Sequence, residues 1–219
     1  MKINTDGVLL GALAKADDPK SILDIGTGTG VIALMLAQRL TSAQIDAVEI
    51  DTSAAQTACV NFKNSPFADR LNIFSTNFQS FFKDHTVKKY DLVISNPPFH
   101  LNSLASPEAK RSLAKHTGHD FFAELIKATV EYLNCGGVLW LILPLQAAEL
   151  VKSLAHQHKL YLKKSINVHS FEGSAPHREI VSFGFKEVSA EISKLVIYKA
   201  VNSYSDEYKQ LLQPYFIAF

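Results

Sequence analysis

The sequence is short of cysteine, of any excess charge and of long apolar runs, and each shortage excludes a class of protein. Its 219 residues hold two cysteines, Cys59 and Cys135, in no CxxC or zinc-like spacing. A chain this long builds a core without a disulfide framework, so both are expected to be buried thiols in a reducing compartment. Lys and Arg total 22 against 21 Asp and Glu, a formal charge of +1. That balance excludes a polybasic tail, and any nucleic-acid affinity has to come from a local patch. Nothing approaches the ~18 consecutive apolar residues of a membrane span, and Met1–Gly7 lacks the apolar segment of a signal peptide. The eight histidines contain no H-x-x-x-H pair, and no Ser-His-Asp arrangement sits on a nucleophile elbow. No metal, no membrane and a cytoplasmic location are therefore expected.

What the sequence does have is apolar content, 47% of it, with 14 phenylalanines. Low net charge at that content argues against disorder. Strand-like and helix-like segments alternate: strands at Ser21–Ile25, Gln44–Ile50, Arg70–Ser75, Tyr90–Ser95 and Val138–Leu143, and helices at Val31–Leu40, Thr52–Asn64, Asp120–Leu133 and Leu145–His158. Thr52 or Ser53 is the expected cap of the second helix and Asp120 of the third. This rhythm predicts βαβ units and a parallel sheet covered on both faces. After residue 159 it changes. Leu160–His169 and Glu179–Phe185 follow one another around Gly173 and Pro176, which predicts an antiparallel hairpin. Leu195–Tyr198 adds a possible edge strand and Asp206–Leu212 a closing helix. The expectation is an α/β chain, one domain over residues 1–219, with a seven-stranded, mostly parallel sheet and a C-terminal antiparallel hairpin.

Asp24-Ile25-Gly26-Thr27-Gly28-Thr29-Gly30 joins the first strand to the first of these helices. Glycines there let the backbone approach a ligand while the helix N-terminus offers free N–H groups. Gly28–Ala33 also fits the G-x-G-x-x-A dinucleotide fingerprint, so NAD has to be considered. Glu49 ends the second strand nineteen residues after Gly30, where an acid accepts hydrogen bonds from ribose hydroxyls. NAD and S-adenosylmethionine both carry an adenosine ribose, so Glu49 does not separate them.

Asn96-Pro97-Pro98-Phe99 follows the fourth strand, at the end that faces the ligand crevice of a doubly wound sheet. The prolines remove two N–H donors and leave carbonyls as acceptors. The Asn oxygen and a proline carbonyl can together accept both hydrogens of a planar amino group, and Phe99 offers a face on which a base can stack.

With these motifs the sequence resembles the class I S-adenosylmethionine-dependent methyltransferases, a Rossmann-like family, in the branch with an Asn-Pro-Pro-aromatic motif. The nearer resemblance is to the bacterial tRNA1(Val) adenine-N6 methyltransferases. It is carried by Met1–Leu13, Ser21–Gln38, Ile45–Glu49, Asp91–Phe99 and Pro176–Phe183. It implies S-adenosylmethionine as methyl donor and an adenine in a tRNA anticodon loop as acceptor. Carried over position by position, it implies that Asp24, Gly26, Gly28 and Gly30 shape the cofactor loop and that Glu49 holds the ribose. It further implies that Thr5 and Asp6 close over the methionine end, and that Asn96, Pro97 and Phe99 hold the target base. Asn77 stands where the family often has an Asp that contacts the cofactor adenine, which would make that contact a neutral one. Family members carry a basic and aromatic segment ahead of the Lys2-x-x-Thr5-Asp6-Gly7 equivalent, and any tRNA contacts made by such a segment are absent from this sequence or unseen in it. Guanine N2 of ribosomal RNA or a protein glutamine would suit the same Asn-Pro-Pro-Phe site, and an NAD-binding or non-catalytic Rossmann protein is the reading from another class.

Lys110, Arg111 and Lys115 fall after Phe99 with no acid between Ala109 and His119, in what reads as a long loop. Together with Arg178 they are the candidate contacts to RNA phosphates. A second acid-free window, holding Lys152, Lys159, Lys163 and Lys164, reads as a solvated face.

Overall fold

The computed structural model describes residues 4–84, 88–97 and 107–216, with backbone alone at 107–118. Four βα steps generate its parallel half: β1 (Ser21–Ile25), β2 (Gln44–Glu49), β3 (Leu71–Ser75), β4 (Tyr90–Ser95) and β5 (Leu133–Leu143). The chain then adds β6 (Tyr161–Phe171), β7 (Pro176–Gly184), β8 (Glu191–Ala200) and the two-residue β9 (Ser203–Tyr204). All nine pair in one sheet of order β3-β2-β1-β4-β5-β7-β6-β8-β9. The expected seven strands are thus exceeded by two, because residues 191–200 form a full strand beside β6 and the chain folds back at its end. The expected hairpin of β6 and β7 is present and antiparallel, but β8 returns parallel to β6.

The parallel strands are largely apolar because both faces are covered. Alternate residues point to opposite layers: Ile22, Leu92, Ile94 and Ile142 to one, Leu23, Val93, Leu141 and Leu143 to the other. The first layer is closed by α1 (Thr5–Leu13), α2 (Val31–Arg39), α3 (Thr52–Lys63) and, later in the chain, α7 (Asp206–Leu212). The second is closed by α4 (Phe78–Asp84), α5 (Pro107–Tyr132) and α6 (Leu145–Gln157). Much of the phenylalanine content lies there. Phe78 packs edge-on against Phe121, and Phe82 stacks on Tyr132 with centroids 4.2 Å apart.

Several local expectations are corrected. The cap of α3 is Asp51, whose carboxylate accepts from the Ala54 N–H at 2.8 Å, ahead of either Thr52 or Ser53. The helix expected from Asp120 begins at Pro107, and Asp120 lies inside it. Proline suits a first helical position because the N–H it lacks has no partner there in any case. Lys110, Arg111 and Lys115 therefore belong to helical backbone rather than to a loop, while their side chains, like Pro98 and Phe99, lie outside the described residues. Cys135 is exposed, because it precedes the part of β5 that lies inside the sheet, and Cys59 is half-buried.

Candidate active site

The strand order reverses between β1 and β4, which opens a crevice at the carboxyl ends of the strands. A cleft of about 890 Å³ occupies it. Thr5, Asp6, Gly26, Glu49, Asn77, Asn96, Pro97 and Arg178 all line this cleft, so motifs scattered from residue 5 to residue 178 meet in one place. Asp24, Gly28 and Gly30 do not line it and act from behind.

The glycine loop takes its form from three positive φ angles, 71° at Gly26, 60° at Gly28 and 87° at Gly30. A Cβ at Gly30 would stand 2.4 Å from the Phe62 ring, whereas one at Gly26 would meet nothing. Gly30 is therefore needed for packing, and Gly26 keeps the cleft wall open for a ligand. Glu49 anchors the loop: its Oε2 accepts from the Gly28 N–H at 2.8 Å and its Oε1 from the Asp51 N–H at 2.8 Å. Each oxygen retains a lone pair for a hydroxyl group.

Behind the loop Asp24 is fully buried. Its Oδ2 accepts from Thr27 Oγ1 at 2.6 Å, and its Oδ1 has no partner among the described residues. Burial pushes this carboxyl up to about 7, partly offset by the Thr27 hydroxyl and the Ala33 N–H, with Glu49 adding a small push upward. Between its ordinary value and about pH 7 the folded protein holds a proton that the unfolded chain has released. The contribution of Asp24 to stability is therefore fully present below about pH 4 and is lost as pH rises toward 7, by up to about 1.4 kcal/mol per pH unit. In thermal melts without ligand, the unaltered protein is expected to lose stability relative to Asp24→Asn as pH rises from about 4 to 7. Parallel pH profiles for the two proteins would refute the assignment.

Asn77 is the cap of α4: its Oδ1 accepts from the Ser80 N–H at 2.7 Å, and the residue lines the cleft. Ile50, next to Glu49, is 72% exposed and lines the cleft with Phe78 and Phe121. These apolar residues were not singled out from the sequence, although an exposed isoleucine beside a ribose-type acid is a usable signal for a base pocket.

On the opposite side Ser95 Oγ donates to the Ile25 carbonyl at 2.7 Å, tying the end of β4 to that of β1 just before Asn96. Thr5, Asp6 and Gly7 form the first turn of α1. Asn4 caps it, accepting from the Gly7 N–H at 2.7 Å. Gly7 lies close to Asn96, since a Cβ there would stand 3.8 Å from Asn96 Nδ2. Arg178, expected at RNA, has a partner within the protein: its Nε donates to Asp6 Oδ2 at 2.8 Å, joining β7 to α1 across the mouth. Lys152 pairs with Glu149 and Glu179, and Lys164 with Glu191. Lys163 and Lys164 sit at the start of β6, away from the cleft end of the sheet.

S-adenosylmethionine fits these residues. Glu49 can hold a ribose, and Ile50, Asn77 and Phe78 frame a space for a base. An open wall at Gly26, with Thr5 and Asp6 above it, leaves room for the methionine end. Among the described residues no group of three His, Cys, Asp or Glu side chains could hold a metal ion, and no helix is long and apolar enough to cross a membrane.

Comparison with known proteins agrees with this geometry. The family model of the methyltransferase small domain matches residues 4–164. The chain is 43% identical over 219 residues to the tRNA1(Val) (adenine(37)-N6)-methyltransferase of Pedobacter heparinus, covering 100% of this chain and 92% of that protein. It is 38% identical to the enzyme of the same name from Bacteroides thetaiotaomicron, with 99% and 91% covered. Among solved structures, a predicted O-methyltransferase from Agrobacterium tumefaciens superposes with a TM-score of 0.74 at 18% identity, covering 95% of this chain and 96% of that one, which is a likeness of fold. By that match over most of its length and by these relatives, this chain belongs to the methyltransferase small domain family, among the tRNA1(Val) (adenine(37)-N6)-methyltransferases.

Proposed function

We propose that this chain acts as a single methyltransferase domain that transfers the methyl group of S-adenosylmethionine to the exocyclic N6 of the adenine next to the anticodon of tRNA1(Val). The observation that carries the reading is that Asn96 and Pro97 line the same cleft as Glu49 and Gly26. The relatives named for this reaction match over nearly the whole chain and support the choice of base and RNA.

When bound, the cofactor supplies an electrophilic methyl group on a sulfonium. The protein supplies position and acceptors. Glu49 holds the ribose and Asn77, with Ile50 and Phe78, the base. Asn96 Oδ1 and the Pro97 carbonyl accept the two hydrogens of the target amine. An adenine amine is a poor nucleophile because its lone pair is delocalised into the ring. Acceptors on both hydrogens favour pyramidal nitrogen and stabilise the charge that grows there. Fixed in-line placement contributes the rest by proximity. No strong base is needed, since the proton leaves after transfer. An anticodon-loop base is already partly unstacked, which lowers the cost of presenting it. The reading carries with it a cytoplasmic location.

Incubation with S-adenosylmethionine and total tRNA, followed by nucleoside mass spectrometry, is expected to yield N6-methyladenosine in tRNA1(Val). Appearance of N2-methylguanosine in rRNA, or of methylglutamine in protein, would replace the reading. Tight binding of NAD would end it.

Lys110, Arg111 and Lys115 are proposed to bind RNA phosphates from the first turns of α5. Neutralising all three is expected to weaken tRNA binding and flatten its salt dependence by up to about 0.9 in log–log slope per lost contact. Cofactor affinity should stay as it was. A slope equal to that of the unaltered protein would return these residues to a solvated helix face.

A further inference from the structure

Four aromatic rings run in file along the β8 end of the cleft. Tyr208 of α7 is buried at one end. Tyr204 stacks on it with centroids 4.8 Å apart and planes at 15°. Tyr198 stacks on Tyr204 at 5.2 Å and 21°, and Phe171 lies against Tyr198 at 5.6 Å and 37°. Anchoring Tyr204 explains the inner half of this file. It does not explain the outer half. Phe171, the last residue of β6, is 41% exposed at the strand end that faces the cleft, and Tyr198 lines the cleft beside Ser170, His177 and Ile197.

This part of the cleft lies apart from the proposed cofactor and target-base positions. Four strand spacings separate β4, which carries Asn96, from β8, which carries Tyr198. At about 4.8 Å each that is about 19 Å, a span of a few nucleotides of single-stranded RNA. We infer that Phe171, backed by Tyr198, forms a stacking platform for an unpaired base of the RNA substrate, a few nucleotides from the methylated adenine. The inference rests on the tRNA reading above. Continuity of the rings with the reaction cleft favours a nucleic acid over an unrelated partner. A π-face takes any base, so the platform adds affinity and register without reading sequence. The acid on this rim, Glu172, is paired with Lys194 and so does not stand as an unpaired charge against phosphate.

The test uses full-length protein, a synthetic anticodon stem-loop of tRNA1(Val) and fluorescence anisotropy, with methylation of the same RNA followed in parallel. Phe171→Ala is expected to weaken RNA binding about 5- to 150-fold, the equilibrium equivalent of one base–aromatic stack. The loss should fall on the KM for RNA, and Phe171→Trp should restore affinity. S-adenosylhomocysteine binding, measured by calorimetry, should be unchanged. Abasic substitutions placed one at a time through the loop should find one position, other than the target, where the unaltered protein and Phe171→Ala bind alike. Equal RNA affinity for the two proteins would overturn the platform while leaving the methyltransferase reading intact. So would a change in oligomeric state at constant RNA affinity, which would assign the rings to self-association. If the unaltered protein fails to methylate the stem-loop or whole tRNA, both readings fall together.

Discussion

An Asn96→Ala protein is expected to bind S-adenosylhomocysteine normally and to transfer methyl groups about 10²- to 10³-fold more slowly. Asn96 lines the cleft at the end of β4, held there by the Ser95–Ile25 bond beneath it. In the proposed reaction its oxygen contacts only the target amine, and more strongly as charge grows on nitrogen. Losing a preorganised group of this kind costs the chemical step more than it costs binding. A single-turnover series at saturating tRNA reads that step directly. A rate within about threefold of the unaltered protein would remove Asn96 from the catalytic site. Phe99 falls outside the described residues, and the proposal for it is separable: Phe99→Ala should raise the KM for RNA, while Phe99→Tyr should keep most activity.

Glu49→Ala is expected to weaken S-adenosylhomocysteine binding by about 10²-fold. Two hydrogen bonds to a charged acceptor contribute about 1.5–3 kcal/mol each before desolvation. The structure adds a second effect, because the Gly28 and Asp51 N–H groups lose their acceptor and the glycine loop loses its anchor. Glu49→Gln keeps one oxygen and separates the two effects: it should preserve the melting temperature better than it preserves affinity. Calorimetry and thermal melts on both variants check this. An Ala variant with undiminished affinity would place the ribose elsewhere.

The parts of this site that are legible in the sequence are those written locally. A glycine loop between an apolar strand and a helix, an acid nineteen residues on and an Asn-Pro-Pro after a later strand each fall within a few residues. The sheet then carries them to one edge. What could not be read is what spans the chain. The Arg178–Asp6 pair joins residues 172 apart and leaves no periodicity behind it. The return of β8 parallel to β6 depends on pairing, which an apolar run does not encode. Two misses had a local signal. Asn77, Phe78, Phe81 and Phe82 have cap-and-stripe spacing for α4, and Pro107-Glu108 marks the start of α5. Each signal is weak alone, because Asn and Pro occur in turns and loops as readily as at helix starts.

The Asp6–Arg178 pair also bears on when this protein becomes competent as it is made. α1 is made ahead of every strand of the sheet and can pack at once on α2, where Arg39 donates to the Gly11 carbonyl, yet its other fastenings come from far downstream. Asp6 waits for Arg178, the Lys15 carbonyl for the Trp140 indole N–H at 2.8 Å, and the helix face for α7. By the time Asn96 has been synthesised, the glycine loop and Glu49 already exist, but nothing yet latches the mouth they share. Because synthesis proceeds from the N-terminus at ~5–20 residues per second, the nascent chain carries most of the cleft-lining residues for several seconds without the pair that joins α1 to β7. The cleft mouth is therefore fastened late, once Arg178 and α7 have been made, rather than strand by strand as the chain lengthens.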